Sequence, residues 1–138
     1  MADKVRKYGN ELFTKNNLRG ALQVYNQAIC LAPKVHFSTN NNEDVSNNAC
    51  LAMCFANRSA VFVREKRYTE ALADIDQALL LGYPKKLSKK LFIRKARIHL
   101  SLGRFAGAVK CLKKEGTMKS NHFFHCVEAF IQTFLFHF

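Results

Sequence analysis

The chain has 138 residues, the size of one domain, and 49% of them are apolar, enough for a packed core. It carries 22 Lys and Arg against 10 Asp and Glu, a formal charge of +12 that favours anionic partners: acidic peptides, nucleic acid or anionic lipid. No stretch reaches the roughly 18 uncharged apolar residues of a membrane span, and the opening Met1-Ala2-Asp3-Lys4-Val5-Arg6-Lys7 has no apolar core of the signal-peptide kind.

In chain order, Gly9, Leu12, Leu18, Ala21, Tyr25, Ala28 and Pro33 come first. Their spacing predicts a helix–turn–helix unit of ~34 residues, here over 2–35. Gly9 and Ala21 are small where the paired helices approach. Ala28 leaves room for the next unit, while Leu12, Leu18, Tyr25 and Leu31 fill the space between. Pro33 stops the second helix because it cannot continue one. Residues 36–51, rich in Asn, Ser and Asp, read as an insertion loop.

The spacing returns over 52–85. Ser59 and Ala60 are the small residues of its first helix, and Phe55, Phe62 and Val63 are its apolar face. Tyr68, Ala71, Leu72, Ile75, Ala78, Leu79 and Leu81 follow, and Gly82-Tyr83-Pro84 ends the unit. A third unit, 89–116, keeps phase through Phe92, Ala96, His99, Leu100, Phe105, Ala108 and Leu112, with Gly103 at its turn. It is incomplete, since Glu115-Gly116 breaks the phase. The tail, 117–138, places Phe123, Val127, Phe130, Phe134 and Phe138 at helical spacing. It reads as a capping helix for the open end of a stack, or as an aberrant end of a longer protein. The predicted fold is an all-α tetratricopeptide-repeat (TPR) solenoid of about three helix–turn–helix units plus a C-terminal helix.

In such a stack the first helices of the units line a concave groove. Residues four apart on a helix share a face. Arg6 and Asn10 are then expected to point into the groove from the first unit, Asn57 from the second, and Lys90 and Arg94 from the third. Three cations and two amides suit a peptide C-terminus with two neighbouring carboxylates. The cations give charge-assisted bonds, and the amides can donate to carboxylate and backbone. Phe13, Ala56, Ala60 and Ile93 are the expected apolar contacts of the peptide. Arg6…Gly9-Asn10, Asn57-Arg58-Ser59-Ala60 and Lys90…Arg94-Lys95-Ala96 resemble the dicarboxylate clamp of co-chaperone TPR domains. The resemblance implies binding to cytosolic heat-shock chaperones ending in Glu-Glu-Val-Asp. The chain departs from that pattern in Arg6, where Lys is usual, and the two cations are not interchangeable at close quarters.

A second resemblance runs through Leu51-Ala52-Met53-Cys54-Phe55-Ala56-Asn57-Arg58-Ser59-Ala60, Ala73-Asp74-Ile75-Asp76-Gln77-Ala78-Leu79 and Leu81-Gly82-Tyr83-Pro84. It continues through Arg94-Lys95-Ala96 and Leu102-Gly103-Arg104, covering about residues 2–112. This run is similar to the N-terminal TPR region of SET-and-MYND-domain protein-lysine methyltransferases, in the member-4 branch. The resemblance implies a family that binds S-adenosylmethionine in its SET domain and holds zinc in its MYND module. Neither module is recognisable in this sequence. Asn121-His122 is followed by Phe123-Phe124, which departs from the SET motif, and the near pair Cys50 and Cys54, at helical spacing, reads as a loop thiol and a buried one rather than as zinc ligands. The expectation is therefore a non-enzymatic, cofactor-free interaction module: a fragment or short form of such a protein.

Five cysteines at irregular spacing, Cys30, Cys50, Cys54, Cys111 and Cys126, point to free thiols in a reducing compartment, cytoplasmic or nuclear. His122, His125 and Cys126 cluster in sequence, but fewer than four ligands argue against structural zinc. The expected partner is protein, a chaperone tail, with no small-molecule substrate and no membrane. Nucleic acid is disfavoured, because the basic residues are dispersed and no RNA-binding motif is visible.

Overall fold

The computed structural model describes residues 1–32 and 42–114, and of residues 42–48 only the backbone. Pro33, Glu115-Gly116 and the tail 117–138 lie outside the described residues, with the capping-helix expectation and the His122–Cys126 cluster. The described elements are α1 (Ala2–Thr14), α2 (Leu18–Leu31), α3 (Asn42–Arg64), α4 (Tyr68–Leu80), a short 3-10 turn (Lys85–Leu87), α5 (Ser88–Ser101) and α6 (Phe105–Lys114). The chain forms two compact units, Met1–Leu91 and Phe92–Phe138.

In the first unit α1 packs on α2, α3 packs on α4, and α2 packs on α3. Ala21, Tyr25 and Val61 form a core cluster, with Leu12, Phe13, Leu18 and Leu22 against it. The small residues sit where spacing demanded them: Ala21, Ala28, Ala71 and Ala78 are all 0% exposed. Gly9 has no room for a side chain, since a Cβ there would lie 2.6 Å from Cε1 of Tyr25. Ser59 is buried and turns its hydroxyl onto the Ala56 carbonyl at 2.7 Å, so it fits as a small residue. Leu31, expected as filler, is 42% exposed on the last turn of α2.

The described part of the second unit packs Ala96, Ala108 and Cys111 together, with Leu100 and Leu112 against them. Here too a glycine marks close approach. A Cβ on Gly107 would meet Nδ1 of His99 at 2.9 Å. Phe105, expected inside, is 55% exposed as the first residue of α6.

One turn closes four of the helices. After α1, the Asn16 amide donates to the Phe13 carbonyl and the Asn17 amide to the Leu12 carbonyl, with Asn16 at φ 60°. After α3, Lys66 and Arg67 bond to Val63 and Phe62, with Lys66 at φ 58°. After α5, Gly103 and Arg104 bond to Leu100 and His99, with Gly103 at φ 70°. Each is a Schellman closure, which satisfies the last helical carbonyls and turns the chain sharply. Gly82, at φ 81°, closes α4 in the same way ahead of Pro84. The internal repeat is thus written in backbone geometry as well as in side-chain spacing.

The insertion is shorter than the sequence suggested. α3 starts at Asn42, so 42–51 of the expected 36–51 loop has helical backbone. Residues 42–64 contain no Gly or Pro. Once the apolar half of α3 is packed, each added residue gains a backbone bond at small propensity cost. Residues 33–41 lie outside the described residues.

Candidate functional site

The site grows from the contact of α1 with α3. Asn10 lies one turn beyond Arg6 on α1, and Asn57 stands on α3. Asn57 Nδ2 donates to Asn10 Oδ1 at 2.8 Å. The Tyr25 hydroxyl of α2 donates to the same oxygen at 2.7 Å. Three helices therefore converge on one amide oxygen. Both donors fall on Oδ1, so the Asn10 nitrogen, with its two N–H groups, has no hydrogen-bond acceptor among the described residues.

Arg6 lies on the same face and is only 8% exposed. Its Nε donates to Asp3 Oδ1 at 3.1 Å, and its Nη2 pairs with the same oxygen. Lys7 takes the other Asp3 oxygen at 3.0 Å. The Arg6 and Lys7 hydrogen bonds hold the Asp3 carboxyl below its usual value of 3.8. An internal carboxylate thus already occupies Arg6. Lys90, on the first turn of α5, is exposed and pairs with no acid among the described residues. Arg94 belongs to the second unit and is partly exposed there, as is Ile93. The structure joins Asn10 and Asn57 directly, and places Arg6 one turn from Asn10.

The expected apolar contacts divide. Ala60 is partly exposed. Ala56 is only 1% exposed, closed off inside the first unit, and offers a ligand no surface. Phe13 lies against the core cluster, with the Arg64 guanidinium 5.7 Å above its ring.

Two features were missed by spacing alone. One is the Tyr25 hydroxyl, since the sequence marked Tyr25 only as filler. The signal available was a hydroxyl on a residue otherwise set among core positions. The other is Arg58, which grips Asp74 through two bonds of 2.7 Å and reaches Asn26 Oδ1 at 2.9 Å. Its guanidinium also stacks near Phe55 and Phe62, at 5.3 and 5.5 Å. Asp74 is 4% exposed, so this fork ties α3 to α4 and α2 in partly buried surroundings. A shallow pocket of about 280 Å³ opens beside it, between Leu22, Arg67 and Glu70. Arg67 is already paired with Glu65 and Glu70, so the pocket carries no spare charge.

No family model matches the chain. Among curated proteins it is 35% identical over 103 residues to the protein-lysine N-methyltransferase SMYD4 of Pongo abelii, covering 75% of this chain and 11% of that protein. It is 30% identical over 108 residues to a DnaJ homolog subfamily C member 7 homolog of Schizosaccharomyces pombe, covering 78% of this chain and 20% of that protein. It is also 30% identical over 114 residues to the Hsp70-Hsp90 organizing protein of Triticum aestivum, covering 83% and 16%. The chain is a TPR-type helical solenoid related to SMYD4. It spans about a tenth of the length of the SMYD4 proteins it matches. The SMYD4 match bears out the methyltransferase resemblance, and the other two are TPR proteins. Among the described residues no cluster of His, Cys, Asp and Glu could hold a metal ion, and no helix is long and apolar enough to cross a membrane.

Proposed function

We propose that the chain is a protein-interaction module whose basic groove takes the acidic C-terminus of a partner, of the kind carried by cytosolic heat-shock chaperones. The observation that carries this reading is the Asn10–Asn57 amide pair, joined at 2.8 Å, with no acceptor for the Asn10 nitrogen among the described residues. Arg6 stands one turn away on α1, Lys90 is an exposed cation of the same unit, and the sequence motif adds Arg94. The relatives support the reading, since one is a DnaJ homolog and another is named for organizing Hsp70 and Hsp90. The module needs no cofactor for this task. It would work in the cytoplasm or nucleus.

A titration of a labelled peptide ending in Met-Glu-Glu-Val-Asp tests the proposal, run beside the same peptide amidated at its C-terminus. The free acid is expected to bind with micromolar affinity and the amide not measurably. A charge-assisted hydrogen bond contributes about 1.5–3 kcal/mol, so Lys90→Ala or Arg94→Ala should each weaken binding about tenfold or more. Unchanged affinity in both variants would sink the clamp.

The SMYD4 match favours a second reading: the same solenoid as a substrate-selecting or scaffolding part of a lysine methyltransferase. It predicts capture of a methylation substrate with no difference between the free-acid and amidated peptides.

A further inference from the structure

We infer that Tyr25 is a positioning residue for the carboxylate site, setting the polarity of the Asn10 amide from inside the core. The inference rests on the carboxylate-binding reading above. A carboxamide is nearly symmetric in shape but opposite in chemistry at its two ends. With its nitrogen toward the groove, Asn10 donates to a carboxylate. Reversed, it would present a carbonyl oxygen and repel one. Something must choose between the two orientations.

Asn57 alone cannot choose, because its own amide can turn with that of Asn10 and keep one bond between them. Tyr25 breaks this tie. Its hydroxyl sits 2.7 Å from Asn10 Oδ1. A phenol shares its oxygen lone pair with the ring, so it donates better than it accepts. The favoured partner is therefore the amide oxygen, which sends the nitrogen outward. Asn57 Nδ2 then completes the same oxygen at 2.8 Å.

The ring cannot swing away from this task. Tyr25 is 2% exposed and packs with Ala21 and Val61. Its Cε1 occupies the space that a Cβ on Gly9 would need, at 2.6 Å. Gly9 and Asn10 thus form a pair: the glycine admits the ring beneath α1, and the next residue receives its hydroxyl. A phenylalanine would fill that space equally well and donate nothing.

That contrast supplies the test. In the full chain, Tyr25→Phe keeps the packing and leaves Asn10 Oδ1 its bond from Asn57. The melting temperature should fall by no more than a few degrees. Affinity for the free-acid peptide should fall about fivefold, the worth of one neutral hydrogen bond near 1 kcal/mol. The decisive measurement is the same substitution in an Asn10→Ala background. If Tyr25 acts through Asn10, its effect vanishes there. An unchanged affinity in Tyr25→Phe, or an equal loss in both backgrounds, overturns the inference while the clamp stands. If the unmodified chain fails to prefer the free acid over the amide, the clamp reading falls and takes this inference with it.

Discussion

Within five residues of α3, three side chains answer to different environments. Asn57 faces α1 and shares its amide proton with Asn10. Arg58 faces α4 and closes a fork on Asp74. Cys54 is 0% exposed, and burial, reinforced by neighbouring Cys50, pushes its thiol from 9.0 up to about 12. This gives a signed expectation. A raised folded value means that the protonated thiol is favoured by folding. The contribution is complete below 9.0 and is lost as pH rises toward 12. Within that window each pH unit removes about 1.4 kcal/mol per group. Denaturant unfolding between pH 8 and 10.5 should therefore show a steeper alkaline loss for the natural chain than for Cys54→Ala. Alkylation at pH 8, mapped by mass spectrometry, should mark exposed Cys30 and spare Cys54 until the chain unfolds. Equal slopes together with rapid labelling of Cys54 would contradict its enclosure.

Among the elements, the helix-closing turns show what sequence discloses and what it hides. Gly103 announces its turn, because a glycine just past a helix takes left-handed φ without strain. Asn16 is a tolerated substitute, and Lys66, at φ 58°, gives no signal at all. That position suggests an experiment with an unusual sign. A left-handed L-residue costs about 1–2 kcal/mol, while glycine's extra freedom in the unfolded chain costs about 0.5–1 kcal/mol. Lys66→Gly should then stabilise by about 0.5 kcal/mol, and Gly103→Ala should destabilise by about as much. Urea midpoints of the two variants, read against the natural chain, check both signs. A loss in Lys66→Gly would mean that its side chain has a role the turn does not show.

The same division runs through the rest of the fold and site. Alanine and glycine spacing revealed which helices pair, because close approach is a local demand repeated at fixed intervals. It also placed Arg6, Asn10 and Asn57 on facing helices. It could not reveal that Asn10 bonds to Asn57, or Arg58 to Asp74, since those distances arise only when separate helices dock. Nor could it tell that Ala56 is enclosed. A face inferred from 3.6-residue periodicity is about a hundred degrees wide, and a one-position error moves a residue from groove to core. The helical stretch 42–51 was hidden for another reason: its polar composition resembles a loop, while its backbone is an extension of the packed part of α3.

At the scale of the whole molecule, if the groove takes acidic tails as proposed, the net charge of +12 and the short-range site would make separable contributions to their capture. The charge acts at long range and speeds the approach of any acidic peptide, but solvent ions screen it beyond about 10 Å at 0.1 M salt. The hydrogen bonds of Asn10 and its neighbours act at contact and are screened far less. Raising NaCl from about 50 to 500 mM should therefore slow association of the free-acid peptide several-fold, with little change in its dissociation rate. Its preference over the amidated peptide should survive, because that preference is decided at the terminal carboxylate. Stopped-flow fluorescence separates the two rates. If the preference collapses together with association, the peptide is held by the diffuse field alone, and RNA should then compete with a steep salt dependence of its own. If it persists, recognition resides in the directed donors of the groove, and the excess positive charge serves to bring acidic tails to them.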